Sequence, residues 1–206
     1  RAQGVHFETK PLPGNPPTAT SMIFVTPDGE RSMNTYLGAC VELGPEDVEP
    51  ETVAASKVTY FEGYLWDPPR AKEAIRECAR IAHEHGREMS MTLSDSFCVD
   101  RYRGEFLELM RSGTVDIVFA NRAELLALYE TSDFAAALDL IANDCKLAAV
   151  TMSEEGSIIV TGDRRIPVNP IKVETVVDTT GAGDLYAAGF LFGYTNGFEL
   201  ADCGRL

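Results

Sequence analysis

The sequence predicts an α/β chain: a mostly parallel sheet with helices on both faces. Three observations predict it. Between Lys57 and Met152, β-rich and helix-patterned segments alternate, the signature of right-handed βαβ units. Val115–Ala120 (VDIVFA) and Leu147–Met152 (LAAVTM) are short continuous apolar runs, as in strands buried on both faces. Near the end of the chain a β-rich stretch, 173–177, feeds the small-residue turn Asp178-Thr179-Thr180-Gly181-Ala182-Gly183-Asp184, which opens an apolar helix.

Taken in order, Thr18–Val25 and Glu30–Leu37 are β-rich and joined by Thr26-Pro27-Asp28-Gly29, a turn sequence, so a hairpin over about residues 18–37 is expected. Its second arm is too polar for a core strand and reads as an exposed, lid-like ribbon. Lys57–Leu65 reads as a buried strand. Asp67-Pro68-Pro69 offers a cap and a helix-opening proline, and 70–85 carries apolar residues at helical spacing (Ala71, Ile75, Cys78, Ala79, Ala82), stopped by Gly86. A strand over Glu88–Leu93 and a helix over Asp100–Arg111, ended by Gly113, follow. After VDIVFA come helices over Asn121–Tyr129 and, behind a Thr131-Ser132 cap, over Asp133–Asn143. Beyond Met152, glycine pairs punctuate short β runs at 157–160 and 165–168, expected as antiparallel hairpins. Both ends look cut: the chain opens at Arg1 and stops at Leu206 inside an apparent amphipathic helix, so it reads as an incomplete single domain over 1–206, truncated at both ends.

With 206 residues and 45% hydrophobic content, the chain can bury a sizeable core. A formal net charge of −14 and the lack of any Lys/Arg cluster exclude an electrostatic nucleic-acid footprint. The five cysteines are odd in number and scattered, which fits incidental thiols in a reducing compartment rather than a disulfide framework or zinc site. No apolar run reaches membrane-spanning length and no signal peptide is present, so a cytoplasmic setting is expected.

Ligands of open parallel sheets sit beyond the carboxyl ends of the strands. Three polar clusters fall there: Asn121 with Glu124 after VDIVFA; Thr151, Ser153 and Gly156 after LAAV; and the 178–184 turn. Each has a dull explanation alone, as a cap, a solvated helix residue or a turn former; three at equivalent positions point to one site. The turn presents backbone N–H groups at the positive end of a helix, a ready anion cradle, and Gly181 and Gly183 let a phosphate approach closely. A carboxylate there needs a purpose, and Asp184 is suited to take a proton from a hydroxyl attacking a phosphoryl group. Glu124 could hold magnesium through water. Arg31 is plain surface charge or a mobile cation above the site. There is no G-x-x-x-x-G-K-[ST] loop, no G-x-G-x-x-G after a strand and no G-x-S-x-G elbow.

These residues resemble the PfkB (ribokinase-like) carbohydrate and nucleoside kinases. Asp178–Asp184 matches that family's D-T-x-G-A-G-D signature at every position. Asn121-Arg122-Ala123-Glu124 matches its N-x-x-E motif. Thr151–Gly156 is similar to its T-x-G-x-x-G segment, with Ser153 where glycine is usual. The resemblance implies a three-layer αβα ribokinase-like fold with a partial β lid, and an ATP-dependent kinase acting on a primary hydroxyl. It implies Asp184 as catalytic base, Gly181, Ala182 and Gly183 as anion hole, and Asn121, Thr151, Ser153, Gly156 and Thr180 as ATP or phosphate contacts. Glu124 is implied for Mg2+, and Asp178 with Thr180 for a monovalent cation such as K+. Leu93–Phe97 (LSDSF) followed by VDIVFAN looks more like adenosine kinases than ribokinases, which would give Arg31 a phosphate-reaching role in the lid. The acceptor is a nucleoside or, alternatively, a sugar of the ribokinase, fructokinase or ketodeoxygluconate kinase type. A nucleotide-binding protein without transfer activity is the reading from another class. A homodimer is an expected assembly.

Overall fold

In the computed structural model, the described residues are 4–7, 9–14, 16–27, 31–176 and 179–206. Asp28 and Gly29 of the expected hairpin turn, Glu30 at the start of its second arm, Val177 and Asp178 lie outside them. β1 (Thr20–Val25) and β2 (Arg31–Tyr36) pair antiparallel from Thr20↔Tyr36 to Val25↔Arg31. Every residue of this ribbon is exposed, as its polar second arm leads one to expect.

A second sheet runs β3 (Val58–Glu62), β4 (Glu88–Thr92), β5 (Ile117–Asn121), β6 (Leu147–Thr151), β7 (Ser157–Thr161), β8 (Arg164–Val168), side by side in that order. The first four are parallel; β7 and β8 are added antiparallel, as the glycine-punctuated hairpins predict. Because strand order advances one way, the right-handed crossovers place α2 (Pro69–Glu84), α3 (Ser96–Arg111), α4 (Arg122–Leu128) and α5 (Phe134–Asp144) on one face. A short α1 (Pro50–Ala55) precedes β3. The other face carries α6 (Ala182–Thr195) and the brief α7 (Leu200–Cys203), packed on Ile117, Phe119, Leu147, Ala149 and Ile159. The result is three layers. Among the described residues no helix is long and apolar enough to cross a membrane.

Several boundaries differ from the sequence expectation, each for a local reason. The strand expected to run to Leu65 ends at Glu62, and Gly63–Trp66 coil into a 3-10 turn. There Gly63 lies so close to the next crossover that an added Cβ would sit 3.0 Å from the Thr92 and Leu93 carbonyls. Trp66 is fully buried and donates its indole N–H to Glu105 (2.8 Å). Asp67 does not cap α2; it is held by Arg101 and Tyr102. Helix α3 starts at Ser96, because Asp95 caps it by accepting from the Cys98 N–H (2.6 Å). Asp133, rather than Thr131-Ser132, caps α5. The β-rich stretch before the phosphate-like turn forms no strand over its described part: Val173 and Val176 are exposed, and among the described residues no strand pairs with them. β-branched composition favours a strand only where an edge is available to pair with.

Candidate active site

Sheet register brings the first two clusters together. Asn121 and Thr151 are direct partners at the carboxyl ends of β5 and β6. Asn121 caps α4: its side-chain oxygen accepts from the Glu124 N–H (2.9 Å), while Glu124 accepts from the Asn121 N–H (2.9 Å) and side-chain amide (2.6 Å). This closed capping box accounts for the N-x-x-E spacing, since the third helical residue is the one that can reach back. It also leaves Glu124 with 5% exposure, and burial, with the nearby Asp95 charge, pushes its carboxyl above the ordinary range.

The third cluster is carried to the same edge by α6. Phe119, two residues before Asn121, meets Tyr186, two residues after Asp184, edge to face at 6.4 Å, and Phe190 at 5.4 Å. The Tyr186 hydroxyl hydrogen-bonds the hydroxyl of Ser157, the residue after Gly156, at 2.9 Å. One aromatic side chain thus staples the α6 entry to both other clusters. No sequence motif marks Tyr186; its signal was only an i+2 position after the aspartate.

Gly181 is the α6 N-cap in the left-handed region (φ 76, ψ 6), a conformation glycine adopts without penalty. An extra Cβ on Gly183 would meet nothing within 4 Å, so packing does not require glycine there and this side of the turn is open. The Ala182 N–H turns back onto the Thr179 carbonyl (3.1 Å). That bond occupies the N–H of Ala182, one of the three expected anion-hole residues. Asp184, third residue of α6, is exposed. Its charge reaches Glu62 at the end of β3, whose carboxyl is raised first by burial and then by Asp184. Arg31 of the lid ribbon donates to the Thr179 hydroxyl (2.9 Å), across 148 residues of sequence. The ribbon arginine and the turn before α6 are thus in contact.

Thr151 ends β6 half-buried, its hydroxyl 3.5 Å from the Ala120 carbonyl. Gly156 has φ 91 and ψ −134, and a Cβ there would fall 2.2 Å from the Val168 carbonyl, so its glycine is required by the approach of β8. Ser153 stands at φ 53, the left-handed region where related chains are expected to carry glycine. Ser153→Gly is expected to raise stability by about 0.5–1 kcal/mol, the left-handed strain of roughly 1–2 kcal/mol less glycine's added unfolded-state entropy. The midpoint of urea unfolding measures it, and a lower midpoint would refute the strain.

For magnesium, the described residues include no group of three or more His, Cys, Asp or Glu side chains that could ligate an ion directly. A buried carboxylate at Glu124 near a second one at Asp95 suits a cation that keeps its water shell. Asp178, assigned to a monovalent cation by resemblance, lies outside the described residues.

Comparison with known proteins shows the family and the fold. The family model described as pfkB family carbohydrate kinase matches residues 1–206. A crystal structure of adenosine kinase from Sinorhizobium meliloti superposes with TM-score 0.97 at 78% identity, covering 100% of this chain and 63% of that one. A probable sugar kinase from Rhizobium etli gives 0.96 at 75% identity, covering 98% and 62%. The cytidine kinase of Thermococcus kodakarensis is 38% identical over 186 residues, 87% of this chain and 62% of its own length. The chain therefore spans less than two thirds of each of these relatives.

Proposed function

We propose a function from a plain premise: the chain belongs to the pfkB family of carbohydrate kinases. It forms the donor-binding and base-bearing part of an ATP-dependent kinase that phosphorylates a primary hydroxyl, with adenosine the favoured acceptor. The observation that carries this reading is the turn at 179–184. A left-handed glycine cap, a clear approach over Gly183, a lid arginine on Thr179 and an exposed carboxylate one turn into α6 lie at one sheet edge.

Phosphoryl transfer passes through a loose transition state, so the protein's work is mostly positioning and charge stabilisation. Backbone N–H groups at Gly181 and Gly183 and the α6 dipole stabilise charge on the transferred group. Asp184 accepts the proton of the attacking hydroxyl as the new O–P bond forms and the bond from that phosphorus to the bridging oxygen of ATP breaks, ADP departing as the leaving group. Asn121 holds Glu124 in place, and Glu124 would hold a divalent cation through water. Magnesium, when bound, neutralises charge on the donor phosphates. Arg31 leaves Thr179 for a phosphate oxygen as the lid closes.

The 78% identity to the Sinorhizobium meliloti adenosine kinase favours a nucleoside acceptor, and the 75% identity to the Rhizobium etli probable sugar kinase keeps a sugar in view. The test is ADP release by the full-length protein with adenosine, ribose, fructose and ketodeoxy sugars in parallel. Fastest release with adenosine is expected. A sugar preferred over adenosine would move the reading to a sugar kinase, and ATP binding with no release for any acceptor would move it to a nucleotide binder.

A further inference from the structure

We infer that Arg122 and Glu155 form a clasp that holds the loop after β6 in its donor-binding shape, which makes both of them positioning residues for ATP. The inference rests on the kinase reading and adds a pair that no motif position supplies: Arg122 is a variable position of N-x-x-E, and Glu155 is a variable position of T-x-G-x-x-G.

Because Asn121 and Thr151 are register partners, the first residue of α4 lies beside the loop that follows β6. Arg122 crosses that gap. Its Nη1 and Nη2 donate to Glu155 Oε1 and Oε2 at 2.7 and 2.9 Å, a fork-to-fork pair. The guanidinium lies over the Phe134 ring at the start of α5, 4.9 Å from its centroid. Its Nε is buried without a partner, so the fork and the ring set its orientation rather than saturation of its donors.

The loop needs such a tie. Its backbone bonds are all local: Glu155 N–H to Met152 (3.1 Å), Gly156 N–H to Ser153 (3.1 Å) and Met152 N–H to Gly156 (2.8 Å). Its short 3-10 turn has no side-chain cap, and Ser153 is held in the left-handed region. A locally bonded, strained loop relaxes readily unless something outside it fixes its shape. An exposed ion pair adds little to global stability. Its effect belongs to the loop, where ordering before ATP arrives removes a cost that ATP would otherwise bear.

The experiment uses the full-length protein, with equilibrium binding of a fluorescent ATP analogue and separate KM values for ATP and adenosine. Arg122→Gln and Glu155→Gln are each expected to weaken the analogue and raise the ATP KM by about 3–10-fold, with kcat and the adenosine KM nearly unchanged. Arg122→Lys, which keeps the charge but not the fork, is expected to fall between. The exchanged pair Arg122→Glu with Glu155→Arg is expected to recover most of the lost affinity. Wild-type affinity in both single variants, or loss in Arg122→Gln but not in Glu155→Gln, overturns the clasp; the second result would make Arg122 a direct donor contact. Failure of the wild-type protein to bind the analogue overturns the kinase reading itself, and the clasp with it.

Discussion

Asp184→Asn in the full-length protein is expected to lower kcat by about 10²–10⁴-fold, the usual contribution of a positioned proton acceptor. The substitution keeps shape and removes charge. Since Asp184 is exposed in the first turn of α6, losing its interaction with the helix dipole costs at most about 1 kcal/mol. The fold should therefore survive. The KM for ATP should stay level or drop, because a negative charge beside an anion cradle opposes the phosphates in the ground state. That split, a large kcat loss without loss of donor binding, separates a base from a residue that shapes the turn. Turnover near wild type would remove Asp184 from the base role.

Gly156→Ala should be strongly destabilising. At φ 91 and ψ −134 any side chain is strained, and the new Cβ would lie 2.2 Å from the Val168 carbonyl and 2.9 Å from the Pro170 nitrogen. Strain of about 1–3 kcal/mol and overpacking of similar size together predict a loss of roughly 2–6 kcal/mol. Thermal unfolding would then shift down by on the order of 10 °C. Gly162→Ala is the control. Gly162 also has positive φ (54), but a Cβ there meets nothing within 4 Å, so only the backbone strain of roughly 1–2 kcal/mol should be lost. Equal effects at the two positions would show that the approach of β8 is not what demands glycine at 156. Because Ser157 holds the Tyr186 hydroxyl, displacing β8 should also disturb the entry of α6.

Much of this was legible in the residues themselves. The parallel core follows from apolar runs and crossover helices, since strands buried on both faces cannot alternate polar with apolar residues. The turn before α6 is legible as a tight helix entry because small residues precede an apolar helix, and the pairing of Asn121 with Glu124 because a capping box has a set spacing. The stretch 173–176 misled because β-branched residues report a preference and not the presence of a partner strand.

By itself, then, the sequence determined the periodic elements, the family signature and the candidate base, all of which depend on neighbours within a few positions. Tertiary structure alone decided which distant residues meet. Strand register placed Asn121 against Thr151, and the Phe119–Tyr186–Ser157 contacts drew the α6 entry to that edge. Folding brought Arg31 to Thr179 and Arg122 to Glu155. The physical reason is that side-chain pairing across elements is fixed by packing geometry, and no local pattern encodes it.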